Sequence, residues 1–527
     1  MKNLVTAIYI LLCTYTFSQN INYIDSKDFA DTYIGSIGAK HYFYDKDEVY
    51  LKEKPVSVLF KDASGLSRAG VLNNQDKERV VEVFVYKDFF YTITDYKAEK
   101  TLHFTLNKYD QSFNKVHSEI LFTTEAVRES KLSLEVRINK EVVGITCVKK
   151  VRSNKGTAVA YNLESGKSAK TDFEYPKLSK YEFADMIMNG NLQMNIVFEY
   201  FKKTLNGGVS KKSNAILVSC NKSSARVQQI SIFNGEKMCR SFKFCAVDQQ
   251  SFVLGALVFK TKGGQNLDGY SVNKLSFGKE STSRPDIIIN DKMKKQDLWL
   301  KKELKKLDKN EPFNNSREQK LKAIEMISTN NFLFISESQY IVSGGSTGYT
   351  AQGTGAVGAP VTQFSHNTGY WQGISYNCLG DVIFSLVNIQ GKKVESTGKT
   401  INRLEYPKGL HYSNPVLPTF VYKVSGDEIK IYFNLSVKLF NKKVEFKRDE
   451  MLLLINAKTN IAVMTANMSD GKGKTEAFSK EFSELPLEKM LPDSFFTDEN
   501  GVGSCLVYES QKPNMQVKLK KQRFVKL

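Results

Sequence analysis

The chain has 527 residues, a net charge of +19 and an isoelectric point near 9.3. Its length allows a large core, either in several domains or in one closed β fold. Seven cysteines are too few for a disulfide-stabilised scaffold of this size. The positive charge permits attraction to anionic polymers, but it is spread along the chain and is more typical of a soluble surface. A nucleic-acid partner is not expected, because the basic C-terminal end lacks a flexible low-complexity flank.

The N-terminus has the layout of a secretory signal peptide. Lys2 precedes an apolar run, Leu4 to Leu12, and the small residues Thr16 and Ser18 place a cleavage site after Ser18. Lipidation at Cys13 is a less favoured alternative, and so is a buried N-terminal strand or helix. The apolar run is too short to span a bilayer, and no other stretch is long enough. We therefore predict a signal peptide over residues 1–18, no transmembrane segment, and a periplasmic or secreted protein.

Alternation of apolar and polar residues with a period of two is the dominant pattern. Leu132, Leu134, Val136 and Ile138 alternate with polar residues, as in a strand with one buried face. Further runs rich in β-branched and aromatic residues are 80–85, 89–93, 215–218, 252–259, 332–335, 382–386 and 451–455. The chain is therefore expected to be mostly β-strand.

Turn signals separate these runs. Asn189-Gly190 and Asn234-Gly235 predict hairpins, because both residues tolerate the positive φ angles of a type I′ turn. A strand–turn–strand unit with Gly-Lys recurs around Gly166-Lys167 and Gly391-Lys392. Radial repetition of such a unit predicts an all-β, propeller-like fold of repeated antiparallel sheets over residues 19–527. Tandem β-sandwich domains are the alternative. A last strand near Val517 could close a propeller beside the N-terminus.

Residues 291–329 break the β pattern and predict a short helical insertion. A capping box at Ser316 and Gln319 marks the start of its second helix. The apolar positions at helical spacing are Met293, Leu300, Leu304 and Leu307 in the first helix, and Leu321, Ile324 and Ile327 in the second. The lysine-rich face of the first helix is typical of a solvated surface, with binding to a membrane surface as the alternative.

Two catalytic motifs occur in the glycine-rich stretch 344–358, and neither has the context it needs. Residues 353–358 match a dinucleotide fingerprint, but Pro360 follows where a helix would have to hold the pyrophosphate. Ser346 matches the Gly-x-Ser-x-Gly elbow of hydrolases, but no helix can follow it. The stretch is better explained as a long loop between two strands.

Aromatic residues flank this loop and make it the candidate binding surface. Such side chains among Gly, Ser and Thr form an adaptable contact surface and can stack on sugar rings. Packing of the same aromatics against neighbouring strands is the competing interpretation. Glu337, on the strand before the loop, is the best candidate carboxylate for glycoside hydrolysis. The candidate ligand-binding residues are Glu337, Tyr340, Tyr349, Tyr370, Trp371 and Tyr376.

No pattern indicates a cofactor or a metal. The five histidines are scattered, without His-x-His or His-Glu-x-x-His spacing. Cys239 and Cys245 could form a disulfide across a hairpin, but two buried thiols on strands are the favoured interpretation.

The segment from about Lys180 to Gly391 resembles a group of uncharacterised exported β-propeller-like proteins of Gram-negative bacteria. The resemblance rests on residues 332–340, 380–383 and 391–392, and on 252–259 with 269–270. It implies the fold and export, but no activity.

Three hypotheses for function follow. The first is an exported binding or scaffolding protein of the cell envelope, with a glycan or an envelope protein as partner. The alternative is an envelope carbohydrate-active enzyme that assembles carboxylates in space. The third is a purely structural envelope protein.

Overall fold

A computed structural model shows the architecture. It describes residues 24–25, 30, 32–46, 55–62, 65–73, 78–125, 132–149, 154–175, 180–203, 209–222, 224–230, 237–260, 267–279, 286–289, 318–343, 375–388, 394–400, 404–408, 420–436, 459–467, 473–477, 488–498, 501–509 and 521–527. The predicted signal peptide and the strand predicted at 451–455 lie outside these residues.

The described strands form eight antiparallel sheets, here called blades 1 to 8. Blade 1 contains β2 (Thr32–Ile37), β3 (Lys40–Tyr44), β4 (Val56–Asp62) and β5 (Gly65–Leu72). Blade 2 contains β6 (Arg79–Tyr86), β7 (Phe89–Ala98), β8 (Thr101–Tyr109) and β9 (Lys115–Glu125). Blade 3 contains β10 (Leu132–Asn139), β11 (Val142–Lys149), β12 (Lys155–Asn162) and β13 (Ser168–Glu174). Blade 4 contains β14 (Lys180–Met188), β15 (Met194–Lys203), β16 (Val209–Asn221) and β17 (Ser224–Ile230).

The second half of the chain repeats this arrangement. Blade 5 contains β18 (Lys237–Ala246), β19 (Ser251–Lys260), β20 (Leu267–Ser276) and β21 (Asp286–Ile289). Blade 6 contains β22 (Glu318–Ser328), β23 (Asn331–Ser343), β24 (Ser375–Asn388) and β25 (Val394–Thr400), with β26 (Leu404–Lys408) also paired to β24. Blade 7 contains β27 (Phe420–Ser425), β28 (Glu428–Ser436), β29 (Thr459–Asn467) and β30 (Gly473–Ala477). Blade 8 contains β31 (Glu488–Thr497), β32 (Gly503–Glu509), β33 (Lys521–Lys526) and β1 (Ile24–Asp25).

Blade 8 joins the two ends of the chain. Its order is β1-β33-β32-β31, so the N-terminal strand pairs with the C-terminal one, with Ile24 opposite Gln522 and Asp25 opposite Lys521. Blade 8 also contacts blade 1 through β31 and β2. A sheet shared by both termini closes the ring, as the sequence at the C-terminal end predicts.

The core is divided among the blade boundaries. Eight buried apolar clusters occur in the described residues, and each contains side chains from two consecutive blades. The last of them joins blade 8 to blade 1 through Phe496, Leu506, Phe43 and Leu59. Each sheet thus buries its faces against the sheets before and after it, and not against a single partner sheet as in a sandwich. The all-β, propeller-like prediction is confirmed.

The two Asn-Gly signals have different outcomes. Asn189-Gly190 does lie in the hairpin between β14 and β15, but the positive φ of 62° is at Leu192. The Asn189 side chain stabilises this longer turn by accepting hydrogen bonds from the backbone of Asn191 and Gln193, both at 3.1 Å. The hairpin predicted at Asn234-Gly235 is wrong, because β17 and β18 on either side belong to different blades.

The second predicted helix is also wrong, because residues 318–328 form β22. A β-bulge between Leu321 and Ala323 shifts the register, so Leu321 and Ile324 are three residues apart yet both face the cluster shared with blade 5. Ile327 packs against the opposite cluster, shared with blade 7. The bulge imitates helical spacing. Residues 291–317, with the first helix, lie outside the described residues, and no helix of the described part is long and apolar enough to cross a membrane.

Candidate functional site

The first strands of the blades lie next to one another around the central axis. Contacts join β2 to β6, β10 to β14, β14 to β18, β18 to β22, β27 to β31, and β31 to β2. Six of these strands, β2, β6, β14, β18, β22 and β31, carry a register shift against the second strand of their blade. Bulges re-aim side chains, and here they recur where strands face the channel of a propeller.

At four of these bulges a charged residue lies at the shift or directly after it. Glu82 follows the bulge of β6, Asp185 that of β14 and Lys243 that of β18. Each is the first residue to resume pairing with the second strand after the shift. In β22 the bulge residue itself, Lys322, carries the charge. Blades 2, 4, 5 and 6 therefore each contribute an ionisable group at the bulge of the first strand or directly after it.

These residues form a row of ionic contacts around the axis, here called the axial row. Its members are Lys46, Glu82, Arg137, Asp185, Lys243, Lys322 and Glu337. Lys46 Nζ lies 3.8 Å from Glu82 Oε2, and Arg137 on β10 lies close enough to affect the titration of Glu82. Arg137 Nε is 3.8 Å from Asp185 Oδ1, and Lys243 Nζ is 3.6 Å from the same oxygen. Cations and carboxylates alternate across blades 1 to 5.

Asp185 is held in place by the next blade. Its Oδ2 accepts a hydrogen bond of 2.9 Å from the backbone N–H of Phe244 on β18. Lys243 donates to the backbone carbonyl of Ala184 at 3.3 Å. Burial lowers the pKa of Lys243, the Asp185 carboxylate opposes that shift, and the positive charges of Arg137 and Lys322 add to it. Arg137 and Lys322 therefore both lie within electrostatic range of Lys243.

Lys322 and Glu337 end the axial row in blade 6. Lys322 Nζ is 3.1 Å from Glu337 Oε2, and the Glu337 side chain is 0% exposed. Beside it, Gln319 donates a hydrogen bond of 3.0 Å to the hydroxyl of Ser336, which is also buried. The Glu337 carboxylate is therefore buried against an ammonium group.

Glu337 belongs to a set of carboxylates at corresponding positions on second strands. Each of them lies opposite the first-strand residue that is two positions before the bulge residue. The three pairs are Asp95 on β7 with Arg79, Glu199 on β15 with Glu182, and Glu337 on β23 with Lys320. Asp95 binds the Arg79 guanidinium through both oxygens. Glu199 accepts a 2.6 Å hydrogen bond from the backbone N–H of Ser241 in the next blade. These carboxylates stabilise the inner strands and their bulges.

Metal and thiol chemistry gain no support from the described part of the chain. It contains no group of three or more His, Cys, Asp or Glu side chains able to hold a metal ion. Cys239 and Cys245 are both buried and unbridged. They also face different clusters, since Cys239 packs between blades 4 and 5 and Cys245 between blades 5 and 6. The interpretation as buried thiols is confirmed.

No family model and no curated protein matches the chain. It is similar to a puromycin-hydrolysing peptidase of Mycobacterium tuberculosis, with 6% identity and a TM-score of 0.36 over 92% of this chain and 60% of that one. It is also similar to the β-propeller domain of the trilobed protease from Pyrococcus furiosus, with 10% identity and a TM-score of 0.32 over 87% of this chain and 100% of that one. A third similar structure is a quinohemoprotein alcohol dehydrogenase of Pseudomonas putida, with 9% identity and a TM-score of 0.37 over 96% of this chain and 77% of that one. The chain thus spans less than two thirds of the mycobacterial peptidase.

The candidate binding residues fall into three groups. Glu337 lies in the axial row. Tyr340 and Tyr376 are on the paired strands β23 and β24, with Tyr340 opposite Cys378 and Tyr376 opposite Val342. Tyr349, Tyr370 and Trp371 lie outside the described residues, so the aromatic loop remains a prediction.

Sequence reasoning missed most of the axial row. Its signal is a single charge with apolar neighbours on both sides, as in Val81-Glu82-Val83, Ala184-Asp185-Met186 and Phe242-Lys243-Phe244. Such a charge interrupts an apolar run and marks either a bulge or a functional group. The partners could not be inferred, because they come from different blades.

Proposed function

We propose that the chain is an exported β-propeller protein that acts as a binding or scaffolding module of a Gram-negative cell envelope, rather than as a catalyst. The N-terminal pattern supports export. The first described strand, β1, begins at Ile24, so cleavage after Ser18 leaves the closed ring complete. The periplasm is preferred to full secretion.

The alternation of charge in the axial row supports binding over catalysis. Glycoside hydrolysis needs two carboxyl groups on either side of one bond, with one of them able to give up a proton. Glu82, Asp185 and Glu337 instead each lie beside a cation, and each is on a different blade. Each of these carboxylates is thus paired with a cation of its own or a neighbouring blade, whereas glycoside hydrolysis needs two carboxyl groups that face one bond. The row is therefore suited to holding charged groups of a partner.

The test of this function uses the full-length chain as bait in envelope extract, with a glycan array in parallel. Capture of a defined glycan or envelope protein supports the proposal. Release of reducing sugar from envelope glycans, lost in Glu337→Gln, would support the carbohydrate-active enzyme instead. The cellular fraction and N-terminal sequence of the expressed protein test export, and a cytosolic chain that retains residues 1–18 would contradict it.

The aromatic loop is proposed as a second contact surface. Alanine at Tyr370 and Trp371 should weaken binding to the partner identified in this way. Unchanged binding would remove the loop from the site and leave the axial row as its main part.

A further inference from the structure

In the part of the axial row from blade 3 to blade 6, the cations are more exposed to solvent than the carboxylates. The side chains of Arg137, Lys243 and Lys322 are 47%, 22% and 25% exposed. Those of Asp185 and Glu337 are 12% and 0% exposed. A ligand that approaches this part of the row meets ammonium and guanidinium groups first.

The contacts within the row leave Arg137 and Lys243 with capacity for a further anion. Arg137 and Lys243 both approach Asp185 Oδ1, at 3.8 and 3.6 Å. Both distances exceed the 2.7–2.9 Å that is usual, roughly, for a charge-assisted hydrogen bond. The other oxygen of Asp185 is held by the backbone of Phe244. Asp185 therefore attracts both cations without forming a short hydrogen bond with either.

The guanidinium group of Arg137 is oriented so that it can bind an anion. Its guanidinium carbon lies 5.8 Å from the ring centroid of Phe183, on the first strand of the next blade. An aromatic ring beside a guanidinium orients its plane, and the planar fork of donors matches a carboxylate or phosphate group. Its Nε lies 3.8 Å from Asp185 Oδ1 in the ion pair.

From this geometry we infer that the axial row binds an acidic glycan, with a carboxylate or phosphate group of the sugar held between Arg137, Lys243 and Lys322. The inference deepens the proposed function and rests on it. Cations recur from blade to blade, with Lys46 on the far side of Glu82, and this repetition fits a polymer with repeated anions better than a single charged group. The net charge of +19 would assist the approach of such a polymer.

Calorimetric titration of the full-length chain tests the inference at low ionic strength. The probes are oligogalacturonate for a carboxylate, phosphomannan for a phosphate, unsubstituted mannan as the neutral glycan, and polyglutamate as an acidic peptide. The variants are Lys243→Met and Arg137→Gln. Lys155→Met is the matched control, because it removes the same charge from an exposed pair with Glu174 on the outer side of blade 3.

At least one acidic glycan should bind the wild-type chain, and both axial variants should weaken that binding about tenfold or more, as expected for a hydrogen bond to a charged group. Lys155→Met should change the dissociation constant by less than about twofold. Thermal unfolding shows that each variant folds, and half-exposed Arg137 provides the variant that does not disturb the core.

Three results would overturn the inference. They are no binding of either acidic glycan, a loss of binding in Lys155→Met equal to that in the axial variants, or binding of mannan as tight as that of the acidic glycans. Equal binding of polyglutamate with the same losses would assign the row to a protein partner instead. If a partner captured from envelope extract is retained by both axial variants, the proposed binding function stands and the axial assignment fails.

Discussion

Lys322 and Glu337 form an ion pair of 3.1 Å between β22 and β23, and only the lysine reaches solvent. Loss of the lysine would leave a buried carboxylate without its ammonium partner, whereas loss of the carboxylate would leave a lysine that can turn to water. Lys322→Met should therefore destabilise the chain by about 3 kcal/mol, and Glu337→Gln by clearly less. Urea unfolding of both variants and of the double variant measures the interaction energy between the two side chains. Equal losses in the two single variants would contradict the asymmetry in burial.

Gly255 permits close packing between blades 5 and 6. A Cβ at this position would lie 2.7 Å from two carbons of the Phe334 ring and would meet Ile324 as well. Gly255→Ala should therefore destabilise the chain by about 1–3 kcal/mol through overpacking. Gly190→Ala is the control, because its Cβ would meet only the end of the Glu141 side chain, at 3.1 Å. Similar denaturation midpoints for both variants would show that the blade boundary can relax.

The strands and their closed arrangement follow from local sequence. The alternation of apolar and polar residues predicts β10, and apolar runs predict β6, β7, β16, β19, β23 and β24. A sheet buried between neighbouring sheets favours β-branched and aromatic residues in each strand. The interpretation failed where a bulge altered the period. Leu321 and Ile324 have helical spacing only because Lys322 is an extra residue in the strand.

The site could be predicted only in part for a related reason. Glu337 is recognisable as a carboxylate on a strand, but its pairing with Lys322 depends on the register of β22 against β23, which a bulge at Lys322 shifts. Arg137 and Asp185 meet across a blade boundary, and their contact depends on the order of the sheets around the axis. Spacing along the chain carries no information about such pairs.

Glu82 should make stability depend on pH. Burial raises its pKa, and Lys46 and Arg137 oppose the shift only in part. A carboxyl group with a raised pKa in the folded state favours folding at low pH, and this contribution is lost as the pH rises through the folded-state pKa. Glu82→Gln should therefore raise the melting temperature at pH 7 and have little effect below about pH 4, where the group is protonated in both states.

The control for this prediction is Glu164→Gln. Lys87 and Tyr86 lower the pKa of Glu164, so this variant should lose stability at pH 7 relative to low pH. Melting temperatures measured from pH 4 to 8 compare the two. The prediction would be wrong if the melting temperature of Glu82→Gln ran parallel to that of the wild type.

The buried thiols should be unreactive in the folded chain. Burial raises the pKa of Cys220 and Cys505 to about 12 and that of Cys245 to about 11. Because the thiolate is the reactive form, these cysteines should resist iodoacetamide at pH 8 and react fully in urea. Cys147 and Cys239 are buried as well and should behave alike. Peptide mapping locates the modified residues, and a Cys239–Cys245 disulfide in the native chain would contradict the structure.

Phe43 should be important for closure of the ring. It is fully buried, and its ring centroid lies 5.7 Å from that of Phe496 and 5.1 Å from that of Phe524, both in blade 8. Phe43→Ala should cost about 3–5 kcal/mol, as for other large core truncations. Phe104→Ala is the control, because that side chain is equally buried but packs between blades 2 and 3.

Both variants should lose similar stability in urea, but hydrogen exchange should distinguish them. In Phe43→Ala, the amides of β33 should exchange faster than in the control, because β33 is held by β32, by the two pairs with β1 and by this aromatic cluster. In Phe104→Ala, faster exchange should be confined to blades 2 and 3. If β33 exchanged equally in both variants, opening of the ring would not begin at the boundary between blades 8 and 1.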